Sequence, residues 1–179
     1  MAHRCGDDTA MLHGRLTLNP MAHLDLIGTL LLLFVGFGWA KPVPVDPSNF
    51  RHARRDDVLV SLAGVTCNFL SAIGFALILR LLLFAHVPLS ASMVHWFIIA
   101  IVMNLGLILF NLLPIPPLDG SHVLRNMLPW DLRMRFDEIA RYGGMILLLV
   151  LLLDSRIGIL SYVIGPPIYL FMRLLTLGL

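Results

Sequence analysis

The sequence predicts an all-α fold: a polytopic bundle of membrane helices with one short strand-like segment near the N-terminus. The first observation behind this prediction is composition, because 58% of the 179 residues are hydrophobic, 13% are charged and the mean hydropathy is +0.86. An ordinary soluble domain has about 25% charged residues, so water alone could not solvate this surface. The second observation is that the apolar residues form long runs, separated by loops rich in arginine or proline.

The charge balance indicates which classes of partner the chain is expected to bind. The formal net charge is only +2, and no stripe of lysine and arginine runs along the chain, so a nucleic-acid partner is not indicated. The lipid bilayer is the partner that the composition requires. Nothing in the composition indicates an oligomeric state.

Residues 1–57 are predicted to form the polar or re-entrant N-terminal part of a single membrane domain that covers residues 1–179. Residues 14–20 alternate between apolar and polar side chains and end in an Asn-Pro pair, which predicts the strand-like segment. Residues 24–40 are apolar but contain three glycines. Since about 20 apolar residues are needed to cross a bilayer, this stretch is either a marginal span or a re-entrant or interfacial element.

Residues 58–120 are predicted to form the core spans. The runs 58–85 and 93–113 are both apolar and long enough to cross a membrane with some tilt. Residues 114–120 have the sequence PIPPLDG and cannot continue the second helix, because proline lacks an amide donor and clashes with the preceding turn. The second span is therefore expected to break just before Asp119.

Residues 121–179 are predicted to form a surface helix followed by C-terminal membrane elements. Residues 121–142 mix apolar and charged side chains and include four arginines. The remaining residues are apolar, apart from a charged interruption at 154–156 and a Gly-Pro-Pro at 165–167. This pattern leaves open whether one or two further membrane elements follow residue 143.

The arginines predict an orientation. The loop before the first clear span and the loop after the second are rich in arginine, whereas the short turn between the two spans has none. Positively charged loops remain on the cytoplasmic side of a membrane. We therefore expect a multi-pass protein of the cell membrane with its Asp119 end towards the cytoplasm.

Two polar residues in apolar surroundings are candidate functional residues. An acidic side chain at the end of a span, such as Asp119, is costly near hydrocarbon and indicates function by default, although it could also cap a helix beginning at Gly120. Asn68 lies among small residues inside the first span. Its amide could stabilise a developing oxyanion, or it could join two helices. The residues alone leave both pairs of alternatives open.

The histidines do not form a recognisable metal motif. None of the seven histidines stands four residues from another, as the helical zinc pair of HExxH requires. His13 and His23 flank the Asn-Pro pair and are the remaining histidines that could converge on a metal.

Four separate segments carry motifs in a recognisable order. Residues 6–25 contain GDDTA followed by GRLTLNPMAHLD, and residues 39–45 are WAKPVPV. Residues 63–68 are AGVTCN, and residues 111–120 are NLLPIPPLDG. Together these motifs resemble those of the site-2 proteases, a family of intramembrane zinc metalloproteases, with Val65 and Asp8 standing where the family has proline.

The resemblance implies an enzyme that hydrolyses peptide bonds in the transmembrane segments of membrane protein substrates. It implies that Asp119 is a metal ligand, that Asn68 lies near the reacting carbonyl, and that zinc is the cofactor. It also implies that Pro116 and Pro117 shape the substrate-facing side of the cavity.

One family motif is missing from the sequence. In the family, an HExxH motif that supplies two histidine ligands and the general-base glutamate precedes the GDDTA-like stretch, and counting back from Gly6 places it just ahead of Met1. We therefore expect an N-terminally truncated protease that, purified alone, holds no stoichiometric zinc and cleaves no substrate. The alternatives are a proteolytically inactive scaffold of the same fold that binds membrane partners, and a small transporter or channel.

Overall fold

The computed structural model describes residues 1–35 and 38–176. Within these ranges the secondary structure is helical, with no strand and a single isolated antiparallel bridge between Leu24 and Ala40. The α-helices are α1 (Ala2–Cys5), α2 (Thr9–Leu12), α3 (Leu26–Val35), α4 (Ala53–Phe84), α5 (Ala91–Asn111), α6 (Asp119–Met127), α7 (Trp130–Ala140), α8 (Gly143–Ile157) and α9 (Ile159–Thr176). Two short 3₁₀ helices cover Pro20–Ala22 and Pro47–Asn49. The predicted all-α class is confirmed.

The chain divides into two compact units, Met1–Val60 and Ser61–Leu179. Helix α4 runs through the boundary, which lies close to the predicted limit between residues 57 and 58. The description of the whole chain as a single membrane domain stays a prediction.

Three helices in the described ranges are long and apolar enough to cross a membrane: α4, α5 and α9. The first two coincide with the predicted spans at 58–85 and 93–113, which are confirmed as helices of that length and composition. The C-terminal region contains α9 as a full-length candidate and α8 as a shorter apolar helix. The region predicted to contain one or two further elements thus contains two helices, α8 and α9, which differ in length.

The core of the second unit lies where α4, α5 and α9 pack together. Small side chains on α4 allow the helices to approach closely, as is typical of membrane bundles. The buried residues of this core are Ala72, Ala76, Ile101, Leu105 and Ile108, with Val65, Ile168, Met172 and Leu175 packed against them. Phe75 and Phe97 add an edge-to-face aromatic pair between α4 and α5, with ring centroids 6.4 Å apart.

The two ends of the segment 24–40 lie side by side. The backbone of Lys41 donates a hydrogen bond to the carbonyl of His23 over 2.8 Å, beside the bridge between Leu24 and Ala40. The ten residues of α3 extend only about 15 Å, half the thickness of a bilayer's hydrocarbon core. The paired ends favour the re-entrant or interfacial alternative, which stays a prediction; residues 36 and 37 lie outside the described ranges.

The strand-like segment predicted at residues 14–20 is not a strand. Its central residues are exposed bends, and no neighbouring segment pairs with them. The side chain of Arg15 instead turns inward and donates a hydrogen bond to the carbonyl of Lys41 over 2.6 Å, while Asn19 caps the following 3₁₀ helix. Alternation alone predicts a strand only where a partner strand exists.

The surface helix predicted for residues 121–142 is broken into two, α6 and α7. Pro129 is the N-cap residue of α7. Proline is tolerated at the start of a helix, and it prevents α6 from continuing because it lacks an amide donor and clashes with the preceding turn. The two helices are joined by the guanidinium of Arg125, which donates to the carboxylate of Asp137 over 2.8 Å. The prediction of one helix was therefore wrong in number; α7 is largely exposed, whereas most residues of α6 are half-buried.

Asp7 organises the first unit. Its side chain is fully buried and accepts hydrogen bonds from the backbone amides of Thr9 and Asp46, at 3.1 and 3.0 Å. The hydroxyl of Thr9 and the side-chain amide of Asn49 donate to the same carboxylate. Led by the bonds from Thr9 and Asn49, these donors hold the pKa of Asp7 well below its ordinary value.

Candidate functional site

The break after α5 determines where Asp119 lies. Helix α5 ends at Asn111, and α6 begins at Asp119 after a segment that contains a cis peptide bond between Pro116 and Pro117. A β-carbon on Gly120 would lie 2.2 Å from the carbonyl oxygen of Leu112, so no side chain fits at that position. Glycine at 120 thus lets α6 begin directly against the end of α5.

Asp119 does not cap α6. The N-cap position is taken by Leu118, and no side chain forms a capping hydrogen bond there. The hydroxyl of Ser121 bonds back to the carbonyl of Leu118 over 2.7 Å. In the part of the chain that the structure describes, no group donates a hydrogen bond to the Asp119 carboxylate, which is half-buried. The capping alternative is therefore wrong.

The Asp119 carboxylate faces helix α4. A β-carbon built on Gly64 would lie 3.7 Å from Oδ2 of Asp119, which is ordinary van der Waals contact. Asn68 is four residues further along α4 and so lies on the same face, one turn away. Its side chain is half-buried, and its amide forms no hydrogen bond with any described residue. The structure thus places the two predicted site residues in one region.

The electrostatics of this region are set by burial. Desolvation raises the pKa of Asp119 above its ordinary value, because burial disfavours the charged form. The nearby charge of His122, one turn along α6, acts in the opposite direction. His122 thus acts on Asp119 electrostatically but is not among the predicted site residues, although its three-residue spacing from Asp119 on a helix is visible in the sequence.

The two prolines predicted to face the substrate lie in different surroundings. Pro116 is buried, and a β-carbon on Gly143 would lie 2.5 Å from its Cβ and 2.9 Å from its carbonyl oxygen. Pro117 is exposed. Helix α8 therefore begins in close contact with residues 112–118, the proline loop between α5 and α6, and Pro117 is the one of the two prolines with an exposed surface. Their role in substrate binding stays a prediction.

The described residues do not by themselves complete a zinc site. A catalytic zinc needs three protein ligands and an open position, and no group of three His, Cys, Asp or Glu side chains gathers within residues 1–35 and 38–176. His23 bonds through Nε2 to the carbonyl of Thr17 over 2.9 Å. Asp119 has the chemistry of one zinc ligand, a carboxylate oxygen with no hydrogen-bond donor, but the full set of ligands is not present in these residues.

Two comparisons with known proteins include the region around Asp119. The family model described as Peptidase family M50 matches residues 85–151, a range that includes the proline loop and Asp119. The chain is 42% identical over 170 residues to a protein of Bacillus subtilis (strain 168) named "Putative zinc metalloprotease YwhC". That similarity covers 93% of this chain and 76% of the relative. No solved structure matches the chain significantly. With its membrane helices, its motifs in order and a relative of this identity, the chain belongs to peptidase family M50, the site-2 protease family of metalloproteases.

Proposed function

We propose that this chain is a zinc metalloprotease that hydrolyses peptide bonds in the transmembrane segments of membrane proteins, with Asp119 as one of its zinc ligands. The observation that carries the proposal is the position of the Asp119 carboxylate, half-buried against Gly64 and without a hydrogen-bond donor in the described residues. Membership of a metalloprotease family supports it, as does the name of the Bacillus subtilis relative.

A carboxylate in this state needs a partner. Burying a charged group costs free energy unless it is paired, hydrogen-bonded or coordinated to a metal. No amide in the part of the chain described donates a hydrogen bond to this carboxylate, and desolvation raises the pKa of Asp119. A zinc ion would supply the missing interaction and would polarise a substrate carbonyl when bound. The remaining ligands are not assigned to residues of this chain.

Asn68 is proposed to stabilise the oxyanion that forms at the scissile carbonyl. Its amide lies on the face of α4 that Asp119 approaches and is not used in a hydrogen bond with another described side chain. A preorganised donor aimed at a developing negative charge is typically worth about 10²–10³ in rate. Pro117, exposed at the loop before Asp119, is proposed to contact the substrate segment, and buried Pro116 is proposed to keep the loop rigid.

The setting proposed for this activity is the cell membrane, with the Asp119 end towards the cytoplasm. The arginines at the N-terminal end of α4 (Arg51 just before it, Arg54 and Arg55 in its first turn) and those of α6 and α7 support this orientation. The partners proposed are the lipid bilayer and a membrane protein substrate, and no nucleic acid.

The test is proteolysis by purified protein in lipid vesicles, using a form of the protein that carries an HExxH segment ahead of residue 1. Asp119→Ala should lower cleavage of a co-reconstituted membrane substrate at least about 100-fold, since loss of even a supporting group at a metal site costs 10–100-fold. The matched control is Asp131→Ala, which removes an exposed carboxylate from α7. Equal cleavage by the Asp119→Ala variant would contradict the proposal. Capture of the substrate without cleavage by the unmutated protein would favour the inactive scaffold.

A further inference from the structure

The N-terminal unit contains a cavity of about 290 Å³ whose wall is strongly basic. Three arginines line it: Arg4 from α1, Arg51 from the loop before α4, and Arg55 from the first turn of α4. Leu59, one turn further along α4, supplies an apolar wall. All of these residues belong to the unit Met1–Val60 and lie apart from Asp119 in sequence.

Among the residues that the structure describes, the three guanidinium groups have no protein partner. None of them forms an ion pair or a side-chain hydrogen bond with a residue in the described ranges. The one carboxylate on the cavity wall, Asp56, is already engaged, because its Oδ2 accepts a hydrogen bond from the backbone amide of His52 over 2.8 Å. Three unpaired cations thus face a cavity with a single, occupied carboxylate, so the cavity is complementary to an anion.

The position of the cavity indicates where that anion comes from. Helix α4 has 32 residues and is about 48 Å long, which exceeds the roughly 30 Å of hydrocarbon in a bilayer. Its polar first turn, with Arg55, comes directly before the apolar run that begins at Val58. With the hydrocarbon boundary placed at the start of this apolar run, Arg55 lies at the level of the lipid headgroups and Leu59 where the acyl chains begin.

From this geometry we propose that the cavity binds the phosphate of an anionic phospholipid headgroup. Arg4, Arg51 and Arg55 hold the phosphate, and Leu59 contacts the adjoining apolar part of the lipid. The site anchors the polar end of α4 at the membrane surface. Juxtamembrane arginines gain about a factor of five in affinity each from an anionic headgroup, which gives the expected size of a single substitution.

The experiment is native mass spectrometry of the full chain in detergent, with phosphatidylglycerol and phosphatidylcholine added in equal amounts. The unmutated protein should retain phosphatidylglycerol in preference, and Arg55→Gln or Arg4→Gln should weaken that binding about fivefold each. The matched control is Arg54→Gln, which removes the same charge from the neighbouring residue, one that does not line the cavity. Arg55→Lys, which keeps the charge, should retain most of the preference.

Three results would overturn the proposal. The first is equal retention of the two lipids by the unmutated protein, and the second is a loss with Arg54→Gln as large as that with Arg55→Gln. The third is binding of inorganic phosphate as tight as that of phosphatidylglycerol, which would make the ligand a free anion. Unfolding temperatures measured without lipid test whether the glutamine variants are folded; with temperatures unchanged, a lost preference reports the site itself.

Discussion

Gly64 on α4 and Asp119 at the start of α6 lie next to each other: a β-carbon on Gly64 would lie 3.7 Å from Oδ2 of Asp119. The two residues are 55 positions apart in sequence, and each belongs to a motif shared with the site-2 proteases. This arrangement brings the end of the motif at residues 111–120 close to the start of the motif at residues 63–68. It also explains a small residue at 64, because a long side chain there would occupy the space that the carboxylate uses.

The size of the residue at 64 should control the site. Gly64→Ala places a methyl group at van der Waals distance from Asp119 and should leave cleavage by the HExxH-bearing form nearly unchanged. Gly64→Leu should displace the carboxylate and lower cleavage at least about tenfold, since overpacking costs about 1–3 kcal/mol. The measurement is the cleavage rate of each variant in lipid vesicles. Equal rates for the leucine and alanine variants would show that the carboxylate does not act from this position.

Gly120 should be essential for stability. Its β-carbon position lies 2.2 Å from the carbonyl oxygen of Leu112, so Gly120→Ala forces α6 away from the end of α5. We expect a loss of about 1–3 kcal/mol in the free energy of unfolding. Gly74→Ala on α4 is the control, because nothing lies within 4 Å of the added atom. Thermal unfolding in detergent should therefore separate the two variants, and similar unfolding temperatures would refute the close packing at 120.

Neighbouring glycines at the start of α8 offer a second paired test. Gly143→Ala would press on Pro116, whose Cβ would be 2.5 Å away, whereas Gly144→Ala meets nothing within 4 Å. If the proline loop positions the substrate, Gly143→Ala should lower cleavage by the HExxH-bearing form about tenfold, as expected for a misplaced loop. Gly144→Ala should behave as the unmutated protein does. Steady-state cleavage assays on both variants check this, and parallel losses would indicate a general effect on α8.

The lowered pKa of Asp7 allows a prediction of how the stability of the first unit depends on pH. Its folded-state pKa is lowered, first by Thr9 and then by Asn49, so its contribution to stability is complete above about pH 4, the ordinary pKa of aspartate. That contribution is lost as the pH falls further, towards the lowered pKa. Asp7→Asn should therefore destabilise residues 1–60 at pH 7, and its difference from the unmutated protein should shrink below pH 4. Hydrogen exchange of this unit measures the effect, and a difference that grows on acidification would contradict it.

The sequence predicted features that depend on local composition. The two long spans follow from apolar runs, and the break before Asp119 follows from the prolines at 114, 116 and 117. The break at Pro129 follows from the same rule and was overlooked. The approach of Asp119 to Gly64, and the packing of Gly143 on Pro116, could not be predicted from the residues, because they depend on how distant helices pack. The alternation of apolar and polar residues at 14–20 gave a wrong prediction of a strand, because a strand also needs a partner strand.

The most direct test of the account is the zinc content of purified protein, measured by elemental analysis. We predict that the HExxH-bearing form holds one zinc per chain and that Asp119→Ala reduces this to a small fraction, while Asp131→Ala does not. We also predict that the 179-residue chain, which gathers no three metal-binding side chains in its described ranges, holds less than stoichiometric zinc. Full zinc occupancy in the Asp119→Ala variant of the HExxH-bearing form would remove Asp119 from the ligand set and contradict the central claim.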